Sequence, residues 1–238
     1  MNRLQLWKVV SVVFLACGLA TAQNITTFSA PGAGTGDGQG TGGFGINPQG
    51  VVVGSYLDSG NVFHGYQCVS GCASPSTFTT FNAPGAGTGA FQGTITFSIN
   101  PFGMITGYYV DANNVAHGFV TAAPFKSFAI LNDPDAGQGS GQGTVAGNIN
   151  AAGEIAGYYF DASGVSHGFV TDPPYRTFSS FDPPGSVSTF TAVASALNLE
   201  GEVEGTYFDA TGVAHGYVRA RNGTITEYDV TGAGTSSG

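Results

Sequence analysis

The sequence predicts an all-β repeat fold, and three observations carry that expectation. The four histidines fall in one recurring phrase, "DSGNVFHGY", "DANNVAHGF", "DASGVSHGF" and "DATGVAHGY", so His64, His117, His167 and His215 stand 53, 50 and 48 residues apart. Everything around them keeps the same step, which makes the phrase part of an internal repeat. Within each copy the pattern alternates with period two, and no copy carries a helical period. Four short strands in a unit of this length are the mark of a β-propeller blade. The expected architecture is β-propeller-like, with four blades of four antiparallel strands; five blades, one of them incomplete, is the alternative.

In chain order the first element is a leader. Arg3 and Lys8 precede an apolar run from Val9 to Ala20, and Ala20, Thr21 and Ala22 supply small residues before Gln23. Residues 1–22 are therefore expected to be a secretory signal, and 23–238 a single repeat domain of four units. The apolar run is shorter than the roughly 20 residues a bilayer span needs, so no membrane insertion is expected once it is cut.

Each unit then shows a turn, "NPQG", "NPFG", "NAAG" or "NLEG", opened by Asn47, Asn100, Asn150 and Asn198. Glycine supplies the unusual backbone angle such turns require. A strand follows in which one face never changes: Gly54, Tyr56 and Asp58 correspond to Gly107, Tyr109 and Asp111, to Gly157, Tyr159 and Asp161, and to Gly205, Tyr207 and Asp209. The opposite face varies, so one face is expected to pack alike in every copy. The Asp opens a hairpin turn, and the next strand carries the histidine between a small apolar residue and Phe or Tyr. A third strand, such as "TFTTFNAP" from Thr77, leads through a Gly-rich link to a fourth ending in "SIN". Strands of the outer type number five, because "ITTFSAP" at Ile25 and "TITEYDV" at Thr224 both qualify; the surplus one is expected to close the ring, fray or add an edge.

Composition narrows function. The leader carries two of the six bases and none of the fifteen acids, so the mature chain has a formal charge of −11. Such a surface repels phosphate backbones, which excludes nucleic acid as the expected partner. Only Cys68 and Cys72 remain after Cys17 leaves with the leader, and in an exported protein they are expected to close a short disulfide loop. A fourfold histidine is expected to be structural, packing between blades and hydrogen-bonding a neighbouring Tyr, Asp or carbonyl, because catalytic groups are unique and metal ligands converge. The Gly-rich links lack a phosphate-loop Lys and open no helix. Asp37, Asp58, Asp111, Asp133, Asp135, Asp161, Asp182 and Asp209 are expected near one rim, each capping its turn; no cofactor is expected, and weak Ca²⁺ binding at the rim is the alternative.

The stretch "GINPQGVVVGSYLDSGNVFHGY" resembles the bacterial extracellular repeats named HAF after a His-Ala-Phe triplet. The resemblance runs through all four units, with HGY or HGF for the triplet and "ALN" for GIN at Ala196. It implies export and a propeller-like repeat fold, and it implies no catalytic residue. The leading expectation is a secreted or periplasmic binding or scaffold protein whose partner is an extracellular protein or glycan. The first alternative is a carbohydrate-binding module using Tyr108 and Tyr158 on the variable strand face. The second is an exported hydrolase, for which Glu200, Glu202 and Glu204 are the only clustered glutamates; at period two they form one solvated face.

Overall fold

Sixteen short strands, built by alternation and cut by Asn-, Asp- and Gly-opened turns, make up nearly all the regular structure of the computed structural model, which describes residues 25–191 and 196–234. The expected signal, its cleavage before Gln23 and Cys17 lie outside the described residues. Strands β1 (Gly40–Ile46), β2 (Val52–Leu57), β3 (Phe63–Cys68) and β4 (Phe78–Phe81) form one antiparallel meander. The second is β5 (Gly93–Ile99), β6 (Met104–Val110), β7 (Ala116–Ala122) and β8 (Phe128–Leu131). The third is β9 (Gly143–Ile149), β10 (Ile155–Phe160), β11 (Ser166–Thr171) and β12 (Phe178–Phe181). The fourth is β13 (Ser186–Thr191), β14 (Val203–Asp209), β15 (Ala214–Arg219) and β16 (Ile225–Tyr228). Single parallel bridges, Phe63 to Gly93 and Ala116 to Gly143, join the first three meanders into a 12-stranded sheet, and the fourth stands as its own sheet. Among the described residues these sheets close neither a barrel nor a propeller ring.

The turn residues act as their chemistry requires. The Asn47 side-chain oxygen accepts from the Gln49 and Val51 amides while Gly50, at φ 74°, lets its amide reach the Asn47 carbonyl. In the hairpin, Asp58 Oδ1 accepts from the Gly60 and Val62 amides. The invariant strand glycines have a sharper cause. In each of the first three units the opening strand bulges, at Phe44, Phe97 and Gly147. The bulge brings a backbone carbonyl onto the spot where a Cβ on Gly54, Gly107 or Gly157 would sit, so no other residue fits.

Neighbouring units pack face to face, with polar contacts that differ from one junction to the next. The variable face of one unit meets the opening strand of the next: Thr96 Nα–H donates to Ser55 Oγ at 2.8 Å, and the Thr106 hydroxyl donates to the Gly147 carbonyl at 2.7 Å. Val53 of the first unit shares a buried cluster with Ile99, Ile105 and Phe119 of the second. The link leaving β4 docks by the Ala83 amide on Thr94 Oγ1 and the Gly87 amide on the Val110 carbonyl; the link leaving β8 repeats both through Asp133 and Gly137.

Two expectations are corrected here. The surplus segment "ITTFSAP" is not a strand. Residues 25–34 instead occupy, on the first unit, the seat that a link occupies on the second and third: the Ala30 amide donates to Thr41 Oγ1 at 2.9 Å, the Gly34 amide to the Leu57 carbonyl at 2.8 Å, and Phe28 lies 6.0 Å from Phe78 as Phe81 lies 6.2 Å from Phe128. Nor does the surplus segment close a ring. With that seat filled, the end of β16 has no unit to dock on, and Tyr228 and Val230 are 46% and 74% exposed where the matching Phe81 and Ala83 are 8% and 3% exposed. Ile46 tells the same story from the other end, at 69% exposed against 7% for Ile99 and 6% for Ile149.

The Cys68 and Cys72 sulfurs lie at disulfide-bonding distance across a Cα separation of 5.4 Å, in the connection from β3 to β4. No helix among the described residues is long and apolar enough to cross a membrane.

Candidate functional site

The repeated signature residues converge within each unit. Because Tyr56 and His64 are cross-strand partners on the invariant face, their rings stack at 4.9 Å, and the pair recurs as Tyr109 with His117, Tyr159 with His167 and Tyr207 with His215 at 4.8 to 5.1 Å. The imidazole then bridges two other elements. Its Nε2 faces the free oxygen of the hairpin carboxylate, at 3.0 Å for Asp58 and 3.5 to 3.6 Å for Asp111, Asp161 and Asp209. Its Nδ1 meets a side-chain oxygen just after the outer strand: Asn82 at 2.9 Å, Asn132 at 2.9 Å, Asp182 at 2.8 Å and Asp229 at 3.0 Å. Each histidine is thus a clip between a turn and an outer strand of its own unit. The expected hydrogen bond to a nearby Asp is made by His64, His167 and His215, but the partners of each ring lie in its own unit rather than between units.

Charge differs between the clips. In the third and fourth units both partners of the ring are carboxylates. Burial alone would lower the His167 pKa, but the hydrogen bond and charge of Asp182, helped by Asp161, raise it; His215 is raised chiefly by its hydrogen bond to Asp229. The hairpin acids move the other way. The Val62 amide holds Asp58 low, the Val165 amide does so for Asp161, and Thr211 with Val213 brings Asp209 down to about 2.

These four carboxylates are consumed by their turns and rings, which leaves little for a metal. Among the described residues no group of three or more His, Cys, Asp or Glu is gathered closely enough to hold one. Of the other rim acids, Asp182 already accepts from the Thr189 hydroxyl and His167, and Asp133 is 2% exposed, with burial pushing its pKa up. Tyr108 and Tyr158, offered above as sugar-stacking rings, are half-buried at unit junctions; Tyr108 packs 5.5 Å from Phe97, and Tyr158 5.2 Å from Phe190. Glu200 and Glu202 are exposed and Glu204 half-buried on the uncovered variable face of the fourth unit, a polar outer surface of the kind that ends a repeat array.

One polar constellation is not repeated. A cleft of about 220 Å³ opens between the third and fourth units, lined by Glu154, Val170, Asp172, Ser179, Leu197, Gly201, Arg219 and Arg221. Glu154 occupies the place of Val51 and Met104 in earlier units and is 8% exposed; its carboxylate accepts from Asn150 Nδ2 at 2.6 Å and pairs with Arg221 at 2.5 Å. Arg219, at the end of β15, is 7% exposed, and its guanidinium lies 4.9 Å above the Phe181 ring. Its Nε has no hydrogen-bond partner among the described residues, and its pKa is lowered by burial. Repeat-centred reading of the sequence passed over this cleft. The available signal was "RARNG" in a chain almost without bases, together with a glutamate where two earlier units carry an apolar side chain.

Compared with known proteins, the chain matches no family model and no curated sequence.

Proposed function

We propose that the chain is an extracytoplasmic, non-catalytic binding scaffold, its four meanders serving as the blades of a propeller-type array like the HAF repeats it resembles. The observation that carries this reading is the fate of the repeated polar residues. The signature Asn, Asp, Tyr and His residues hold their own turns and outer strands, and Asn100 and Asn150 also donate to the turn of the next unit, so the repeat encodes folding, and what differs between copies is left to recognise a partner. The leader motif and the Cys68–Cys72 pair fit an oxidising compartment outside the cytoplasm. The carbohydrate alternative is weakened by the loss of Tyr108 and Tyr158 to unit junctions, and the hydrolase by glutamates that converge on no partner acid.

The test pairs binding with turnover. Purified mature protein is screened against immobilised glycans and extracellular peptides, and in parallel against chromogenic esters, glycosides and phosphomonoesters. Saturable binding without product formation is the expected result. Multiple turnover of any substrate, abolished by a point substitution, overturns the scaffold reading.

A further inference from the structure

We infer that the cleft between the third and fourth units is a binding site for a small organic monocarboxylate, with Arg219 as its anchor. The argument starts from an uncompensated charge. A guanidinium is charged at any physiological pH, and burying one without a counter-ion is costly, so buried arginines are normally paired. Arg219 is not. Its Nε–H is buried without a partner, Nη1 reaches only the carbonyl of its own neighbour Ala220 at a long 3.5 Å, and no carboxylate lies within ion-pairing distance among the described residues. The Phe181 face supports the cation from one side but supplies no hydrogen-bond acceptor. The missing group is an anionic acceptor, and an anion in the cleft that Arg219 lines would supply it once the guanidinium, whose Nε is closed off from solvent, turns toward it.

The remaining lining residues narrow the ligand. Arg221 is 62% exposed and spends one amino group on Glu154, leaving its other donors for a second contact at the mouth. Glu154 is spent on Arg221, and the exposed Asp172 at the same walls lies outside ion-pairing distance of Arg219 while setting the cleft against a doubly charged anion. Such a site accepts one negative charge beside Arg219 and repels a phosphate dianion. A carboxylate matches the guanidinium fork, Val170 and Leu197 offer an apolar wall to a short carbon chain, and Ser179 offers a hydroxyl. At about 220 Å³ the cleft has room for a small organic acid. A free aliphatic acid and an acidic sugar share this chemistry.

The inference rests on the binding reading above and adds the site and ligand class. Its test uses the mature protein with ¹⁵N-labelled arginine. Propionate, glucuronate, propionamide and inorganic phosphate are titrated while the Arg Nε–H resonances are followed and binding is measured by calorimetry. The expected result is saturable binding of propionate, glucuronate or both, with displacement of the buried Arg219 Nε–H signal and no response to propionamide or phosphate. Which acid binds tells the free acid from the sugar acid. Arg219→Gln is expected to weaken binding at least tenfold. Should that variant not fold, Asp172→Asn takes its place, and removing that repulsion is expected to tighten binding several-fold. The site is overturned if no carboxylate shifts the Arg219 signal at millimolar concentration, if propionamide binds equally well, or if neither substitution changes the affinity. Those outcomes leave the scaffold reading standing, which fails only on turnover.

Discussion

Asp182 and Asp229 take, in the third and fourth units, the places held by Asn82 and Asn132 in the first two, and that single exchange puts a second carboxylate on the ring. A histidine whose pKa is raised by folding adds stability that is fully present below its unfolded value near 6.5 and is lost as pH rises through the folded value. Asp182→Asn is therefore expected to lower the titration midpoint of His167, read from its ring C–H resonances, and to flatten stability across the window from about pH 6.5 up to the raised midpoint. The ring is partly exposed, so the stability change should stay below ~1 kcal/mol. An unmoved midpoint contradicts the assignment of Asp182 as the cause. Removing the clip altogether should cost more. His117→Ala leaves Asp111 and Asn132 without their shared partner and is expected to destabilise by about 1 to 2 kcal/mol, a fall of several degrees in Tm. Unchanged melting in that variant rules out a structural role for the ring. The spacing of the histidines was enough to say that they are structural. The expected packing between blades was not met, and each ring stays with its own unit, because reach depends on strand register.

At the scale of elements, the glycines separate what a pattern shows from what it explains. Alternation located the strands, and the Asn- and Asp-opened turns fall where the sequence placed them, since a turn's chemistry is local. The requirement for Gly54, Gly107 and Gly157 is not local, because it arises from a bulge in the adjacent strand. The glycine after the histidine is similar: the outer-strand rings of Phe81, Phe181 and Tyr228 lie where a Cβ on Gly65, Gly168 or Gly216 would be, which accounts for the Gly in these three copies of HGF and HGY. Gly157→Ala should therefore force the Val145 carbonyl and the Phe169 ring to move, with a loss of at least ~2 kcal/mol measured by chemical denaturation. A denaturation midpoint equal to that of the parent contradicts the bulge account. "ITTFSAP" was misread for the complementary reason. It has the composition of an outer strand, but an outer strand exists only where a preceding strand offers hydrogen bonds, and no meander precedes it among the described residues.

For the whole molecule, the repeated junction decides the architecture. A copy number of four and a meander of four strands were legible because both are written in period and turn spacing. Closure was not, because it depends on who occupies the docking seat of the first unit, and residues 25–34 hold it through the same two backbone bonds and the same aromatic contact that a link makes. The unpaired Arg219 was equally hidden, since it lies at one junction only. The central claim, an array of antiparallel meanders that does not close on itself among the described residues, is tested most directly by distances between turn tips. Spin labels on cysteines replacing Gln49, Phe102, Ala152 and Glu200, taken in pairs, report unit spacing by pulsed dipolar spectroscopy. The account predicts that Gln49 and Glu200 lie farther apart than any two neighbouring tips. A Gln49–Glu200 distance equal to the Gln49–Phe102 and Phe102–Ala152 distances would mean a closed ring of four and would contradict it.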